Sequence, residues 1–295
     1  MQFFLEAKHF FKLIRIHQWT KNFLIFVPSI MAHKIFDIDI ILTCISTFIV
    51  FSILASIVYI INDFIDLESD KSQKYKRTRP LASGAISKST ARNTLLILLA
   101  IEILLVSRIR MALIFMFISY FILNFFYSFI LKKIVIIDLL CLTAFYLVRI
   151  FIGGLAVNVK ISFWLLFFSC LLFFSLSALK RVGEIHINEN HQLNSTSRGY
   201  QNTDLFYLSN VGMISGFGSV IVLGLYINDD FVISLYSEPA ILWFTVPIVI
   251  YMISKLWLDT TQGKMHYDPV AYLTSRKEFL ASLLLLLLVL FIASK

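Results

Sequence analysis

Nine apolar stretches, each close to the length of a bilayer crossing, leave this chain few folds to choose from. They run over residues 19–36, 40–61, 92–107, 111–131, 135–157, 162–179, 205–228, 239–258 and 277–294. A helix of about 20 mostly apolar residues crosses the hydrocarbon core of a bilayer. Inside lipid every backbone N–H and C=O must be satisfied within the protein, so only helices and closed barrels span it. Barrel strands would read as short segments of alternating polarity, and this sequence shows none. Composition agrees: 59% of the 295 residues are hydrophobic and 15% are charged, whereas soluble domains run at about half and a quarter. The expectation is an all-α integral membrane protein of nine transmembrane helices, forming a single domain over residues 1–295.

The charges sort by connection. Of 26 Lys and Arg, 20 fall at the N-terminus and in the even-numbered connections, while Lys34, Arg108, Arg110, Lys160 and Lys295 fall in the others and Arg149 lies within a span. The positive-inside bias therefore places the N-terminus and the even connections in the cytoplasm and the C-terminus outside, in an inner (cytoplasmic) membrane. This distribution also accounts for the net charge of +8 without nucleic acid as a partner; membrane lipid is the expected surroundings. The first twelve residues, MQFFLEAKHFFK, carry no small-residue cleavage site. They read as an amphipathic surface helix, with Lys8, Lys12 and Arg15 near one face. Cys44, Cys141 and Cys170 lie in apolar spans and read as small buried residues. The histidines show no metal-ligand spacing.

The long connections, 62–91, 180–204 and 259–276, all belong to the cytoplasmic set, so that face is where chemistry is expected. The first opens N62-D-F-I-D-L-E-S-D70 and continues K71-S-Q-K-Y-K-R-T-R-P-L-A-S-G84: four acidic residues, then five basic ones. Asp63, Asp66 and Asp70 stand at i, i+3 and i+7, one face of a helix, and Asn62 joins that face through Asp66. Carboxylates on one stripe repel unless a cation intervenes. Oxygen donors of this kind suit a hard ion such as Mg²⁺, which usually shares its shell with substrate phosphates. Lys74, Lys76, Arg77 and Arg79 follow within about two turns, and guanidinium forks and ammonium groups suit phosphate oxygens. A diphosphate site results. The alternative is a solvated loop whose basic half sets topology and touches anionic lipid.

The pattern N-D-x-x-D-x-x-x-D at the inner end of span two resembles the first aspartate-rich motif of the UbiA superfamily of intramembrane prenyltransferases. The resemblance implies a UbiA-type helical bundle with long cytoplasmic loops, in which Asp63, Asp66 and Asp70, with Asn62, bind Mg²⁺ and a donor diphosphate. Aromatic prenyltransferases of that superfamily carry a second D-x-x-x-D after span six. This chain reads L179-K-R-V-G-E-I-H-I-N-E-N there, with Lys180, Arg181 and Glu184 in its place. One acidic motif plus a basic cluster suits one metal-bound diphosphate and a second anionic group.

That arrangement resembles the decaprenyl-phosphate phosphoribosyltransferase branch. So do R15-I-H-Q-W-T-K-N22, which holds Lys21, and K76-R-T-R-P-L-A-S-G, Y127-S-F-I-L-K-K, D138-L-L-C-L-T-A-F-Y-L-V-R-I-F-I-G-G, A178-L-K-R-V-G-E, R198-G-Y and H266-Y-D-P-V. The resemblance implies transfer of a 5-phosphoribosyl group from phosphoribosyl diphosphate to a polyprenyl phosphate. Lys74, Arg77 and Arg79 become donor-phosphate residues, and Lys180 and Arg181 acceptor-phosphate residues. Tyr127 and Lys132 become donor-site candidates, with an interfacial aromatic beside a topology lysine as the other reading; Lys21 is a further substrate-binding candidate, and Asp138 supports the site. Two rivals stand beside this reading: prenyl transfer to an aromatic acceptor such as 4-hydroxybenzoate, and a non-enzymatic lipid carrier or transporter. Oligomeric state is open, with a homo-oligomer among the options.

Charges within spans cost roughly 2.5–3.5 kcal/mol each and are functional suspects. Asp138 and Arg149 are eleven residues apart and share a face of span five. For Arg149 a pairing with another helix and a substrate role are both open, and Asp268 in H-Y-D-P reads as a turn cap or a substrate contact. Orientation is open to direct measurement. In an otherwise native chain, a cysteine at Lys160 should react with a membrane-impermeant maleimide on intact cells. One at Lys264 should react only after permeabilisation; the reverse pattern would invert the topology.

Overall fold

The computed structural model describes residues 2–72, 76–107, 109–189, 198–265 and 268–294, and among these the chain is helical, with no β-strand. The α-helices are α1 (Gln2–Leu13), α2 (Val27–Met31), α3 (Ile38–Ile65), α4 (Leu67–Ser72), α5 (Lys88–Val106), α6 (Met111–Phe129) and α7 (Ile137–Ala156). They continue with α8 (Phe163–Glu189), α9 (Leu205–Ile227), α10 (Asp230–Leu235), α11 (Thr245–Thr261), α12 (Pro269–Ser275) and α13 (Lys277–Ala293). The backbone divides into two compact units. Unit 1 holds Met1–Ile30, Lys34–Ser128 and Arg149–Val159; unit 2 holds Met31–His33, Phe129–Val148 and Lys160–Lys295.

Seven helical segments among the described residues are long and apolar enough to cross a bilayer: Ile38–Ile65, Lys88–Val106, Met111–Phe129, Ile137–Ala156, Phe163–His186, Asn202–Ile227 and Pro239–Thr261. This is a multi-pass membrane protein. Large apolar side chains on these helices stay exposed, among them Ile103, Phe115 and Ile214, as a lipid-facing surface requires. The two other expected spans take different forms. Residues 19–36 do not make one α-helix: a 3-10 segment, Ile16–Phe26, runs into the short α2. Trp19 and Asn22 are drawn sideways into hydrogen bonds with α3, and the chain turns at His33, whose φ is 56°. The last span is α13, an α-helix of 17 residues, about 26 Å long at 1.5 Å per residue.

In unit 1, α3 starts at the N-cap Asp37, whose carboxylate accepts from the amides of Asp39 and Ile40. It ends at Asp66, where φ −88° and ψ 3° break the α conformation before α4 begins. The connection that follows folds back over this end. Leu67, Leu81 and Ile86 pack with Leu13, Ile14, Ile60 and Ala91 in one buried cluster, each worth roughly 1.5–3 kcal/mol if fully buried. Ser87 then caps α5 by accepting from the Thr90 amide at 3.0 Å. Trp19 and Asn22 of the 3-10 segment turn toward α3. The Trp19 indole donates to Ser56 Oγ at 3.0 Å, and Ser56 donates in turn to the carbonyl of Ile14 at 2.8 Å. Asn22 donates to Ser52 Oγ at 2.9 Å and accepts from Arg149 Nε at 2.8 Å. The Arg149 guanidinium also lies over the rings of Phe51 and Tyr120, so the intramembrane arginine is held by an amide and two aromatic faces. Gly153, one turn further along α7, meets the 3-10 segment backbone to backbone.

In unit 2, α8 and α9 pack along their length. Ser215 donates to the Leu171 carbonyl at 2.7 Å, and the Trp257 indole of α11 donates to Ser175 at 3.1 Å. Tyr146 stacks on Phe173 with centroids 4.7 Å apart.

A Cβ at Gly153 would lie 2.1 Å from the Ile25 carbonyl oxygen. Gly153→Ala is therefore expected to destabilise the protein by at least about 1–3 kcal/mol, the usual cost of overpacking, measured by thermal unfolding in detergent.

Candidate active site

The aspartate stripe folds as two helical pieces across the α3–α4 junction, joined by the Asp66 amide on the Asn62 carbonyl and the Asp70 amide on the Asp66 carbonyl, at 2.9 and 2.8 Å. Asp63 and Asp70 are each 2% exposed, while Asp66 is half-buried. Asp63 and Asp70 converge on one cation. Arg79 Nη1 lies 2.5 Å from Asp70 Oδ2 and 3.2 Å from Asp63 Oδ1. A second guanidinium, from Arg15, donates to the same Asp63 oxygen and stacks over the Tyr59 ring at 4.9 Å. Asn62 Oδ1 accepts from Ser128 Oγ at 2.6 Å, which ties the stripe to α6 beside the buried Tyr127. Glu68 stays outside, on the surface with Lys71. That hydrogen bond, and Lys71's charge, hold its carboxyl below the ordinary range.

Arg15 was expected on the outer face of a surface helix. The structure corrects this. α1 ends at Leu13, Arg15 adopts a left-handed backbone with φ 51° and ψ 47°, and its side chain turns inward to Asp63. Lys21 sits on the 3-10 segment and Arg77 on an exposed turn, Lys76–Thr78. Lys74 lies outside the described residues. Among those described, no three His, Cys, Asp or Glu side chains are grouped to hold a metal.

Unit 2 carries a separate charged cluster. Asp138, at the start of α7, and Arg181, on α8, are both fully buried. Arg181 grips Asp138 with two bonds, Nε to Oδ2 at 2.5 Å and Nη2 to Oδ1 at 2.9 Å, and donates through Nη1 to Glu184 at 2.6 Å. Arg198 lies 3.6 Å from Asp138 and 3.8 Å from Glu184. Its place is set by its neighbours. Gly199 has φ 80°, and a Cβ there would stand 2.8 Å from the Lys133 carbonyl oxygen. The buried Tyr200 hydroxyl accepts from the Ile136 amide at 3.2 Å. The stretch R198-G-Y thus works as a clip onto the chain before α7. Lys132, in the 3-10 turn Leu131–Lys133, and Lys180 are half-buried in the same unit.

Asp268 is a cap: its carboxylate accepts from the amides of Val270 and Ala271 at the start of α12. It also lines an open cavity of ≈ 420 Å³ with Lys264, Tyr272 and Arg276. Burial, then a hydrogen bond to Asp259, raises the Tyr272 phenol above its ordinary range.

The sequence and the fold have relatives. The sequence profile described as the UbiA prenyltransferase family matches residues 23–273. The chain belongs to the UbiA prenyltransferase family. It is 32% identical to the y4nM protein of Sinorhizobium fredii, over 92% of this chain and 53% of that one, so it spans about half the length of that relative. It is 28% identical to the decaprenyl-phosphate phosphoribosyltransferase of Mycobacterium tuberculosis H37Rv, over 83% of this chain and 80% of the relative. Among solved structures, a UbiA homologue from Archaeoglobus fulgidus bound to GPP and Mg²⁺ aligns with a TM-score of 0.64 at 14% identity. The alignment covers 97% of this chain and 99% of that one. At that identity the likeness is one of fold. The UbiA helical architecture is therefore shown.

Sequence reasoning passed over Arg15 and Arg198 as site residues. Both lie in stretches picked out for their resemblance, and each is the one arginine of its stretch, which was the available signal. The Asp138–Arg181 pair yields a stability test. Asp138→Ala leaves a buried guanidinium without its main counter-ion and should cost about 3–5 kcal/mol. Replacing both residues with apolar ones of similar volume, Asp138→Leu with Arg181→Met, should recover most of the loss, read from denaturation in detergent.

Proposed function

We propose that this UbiA-family enzyme transfers a 5-phosphoribosyl group from phosphoribosyl diphosphate to a polyprenyl phosphate, with Mg²⁺ as cofactor, at the cytoplasmic face of an inner membrane. In this reading nine segments cross the bilayer, with the N-terminus inside and the C-terminus outside. The observation that carries it is the make-up of the unit 2 cluster. Where aromatic prenyltransferases are expected to carry a second aspartate pair, this chain has Arg181 and Arg198 on Asp138 and Glu184. That cluster is suited to an anion and unsuited to a second metal. The relative named as a decaprenyl-phosphate phosphoribosyltransferase supports the same substrates.

The unit 1 residues suit Mg²⁺ by donor type and by convergence: their donors are all oxygen, and Asp63 and Asp70 already point at one shared cation, the Arg79 guanidinium. Asp63, Asp66 and Asp70, with Asn62, would hold the ion. When bound, Mg²⁺ draws charge off the departing diphosphate. Arg79 and Arg77, with Lys74, Lys21, Tyr127 and Lys132, bind donor oxygens. Lys180 and Arg198 hold the acceptor phosphate. Arg181 is fully buried and already committed to two carboxylates, so it acts as a positioning residue. The anomeric C–O bond breaks with its electron pair leaving on diphosphate, and an oxygen of the lipid phosphate forms the new bond. That oxygen is already anionic near pH 7, so no side chain has to remove a proton. Preorganised charge then supplies most of the rate.

Purified protein given labelled phosphoribosyl diphosphate, polyprenyl phosphate and Mg²⁺ should form a phosphoribosyl lipid. Chelation should abolish the reaction. Asp63→Ala and Asp66→Ala should each lower turnover by about 10²-fold or more, as loss of a transition-state contact does. Unchanged turnover in both variants would remove the assigned site. Consumption of a prenyl diphosphate and 4-hydroxybenzoate in place of the two phosphate substrates would favour aromatic prenyl transfer.

A further inference from the structure

Asp63 has two arginines on one carboxylate oxygen, and they differ in kind. Arg79 comes from the loop that follows the stripe and bridges Asp63 to Asp70. Arg15 comes from the N-terminal segment, 48 residues away in sequence. Its backbone is pinned from both sides. Ile14 is buried and its carbonyl accepts from Ser56, whose hydroxyl also receives the Trp19 indole. Asn22, further along, is fixed between Ser52 and Arg149. Between these anchors Arg15 adopts φ 51°, a region a side-chain-bearing residue visits only when its surroundings impose it. The result is a guanidinium delivered to Asp63 on a fixed mount. Its side chain stays 19% exposed, beside Arg79 at 27%, whereas Arg181 in unit 2 is at 0%. The two unit 1 arginines can change partner without unpacking a core; Arg181 cannot.

A divalent ion on the Asp63 oxygen must displace or crowd these guanidiniums, and bringing 2+ beside two partly buried cations is unfavourable. Diphosphate alone meets the opposite obstacle, because the carboxylates lie behind the arginines. Metal and diphosphate arriving together remove both: the ion takes the carboxylates and the arginines take phosphate oxygens, for which the guanidinium fork is well shaped. Resting on the assignment of the aspartate stripe as the donor site, we propose that Arg15 is a donor-positioning residue. It sits on Asp63 until metal and diphosphate arrive and then transfers to the diphosphate, so that the two ligands bind as one complex and each binds weakly alone.

The test uses the full chain in detergent, with Mn²⁺ as a paramagnetic probe for the metal and inorganic diphosphate for the anion. Free Mn²⁺ is followed by EPR, with no turnover involved. In the native protein, diphosphate should tighten Mn²⁺ binding by about tenfold or more, within the usual span of coupling between two ligands. Arg15→Gln should bind Mn²⁺ alone several-fold more tightly than the native chain and lose most of the gain from diphosphate. Arg15→Lys keeps the charge without the fork, and should leave binding of Mn²⁺ alone weak while diphosphate helps less. Lys12→Gln, at an exposed position of α1, should behave as native; a matching change there would assign the effect to general surface charge and overturn the proposal. Thermal unfolding of each variant identifies any that fail to fold, and if Arg15→Gln does, the Arg15→Lys result decides. Two results contradict the proposal. If Arg15→Gln leaves the coupling intact, or weakens Mn²⁺ alone and with diphosphate equally, Arg15 is only structural. The donor site still stands in that case, provided that Asp63→Asn abolishes binding of the pair. If the native protein binds no combination of the two, the donor-site assignment fails as well.

Discussion

Two carboxylates buried at the α3–α4 junction, Asp63 and Asp70, share the Arg79 guanidinium, and much of unit 1 is arranged to bring that guanidinium and Arg15's to them. The acidic run crosses from the apolar α3 into α4, and along it Asp63 and Asp70 are buried while Glu68 stays on the surface. The basic run follows directly, and the loop from Leu67 to Ile86 folds back on a small apolar cluster with Leu13, Ile14, Ile60 and Ala91. That fold-back returns Arg79 to the stripe. The same cluster holds Ile14, which places Arg15. A handful of apolar contacts around the end of α3 therefore helps to place the charges at the site.

Unit 2 solves a similar problem differently. Asp138 and Arg181 are both buried, joined by two hydrogen bonds, and bound further to Glu184. Arg198 is held less closely, by longer contacts, and is partly exposed. Burial and distance thus set the two clusters apart: Arg181 is fully enclosed, whereas Arg15 and Arg79 keep 19% and 27% of their side chains exposed.

The helical membrane architecture was legible because apolar run length is a strong signal, and seven of the nine expected spans appear as single long helices. The aspartate stripe was legible because helical spacing survives the break at Asp66. What escaped had identifiable physical causes. The 3-10 form of residues 16–26 depends on Trp19 and Asn22 bonding to serines 37 and 30 residues away, and no local pattern announces such pairs. Arg15 turns inward through one left-handed residue. Its charge read as topology because basic residues near a membrane usually are. Arg181 looked like a phosphate ligand because the sequence hides its pairing with Asp138, 43 positions earlier. Arg198 gained a role only when Gly199 and Tyr200 proved to clip it beside α7.

The central claim is that the donor's diphosphate docks on the aspartate stripe of unit 1. A cryo-EM map of the protein with Mg²⁺ and phosphoribosyl diphosphate tests it most directly. The account predicts diphosphate density in contact with Arg79 and Arg15, with the metal between it and the carboxylates of Asp63 and Asp70. Density for the donor elsewhere, for instance in the cavity beside Lys264 and Arg276, with both arginines still on Asp63, would contradict it.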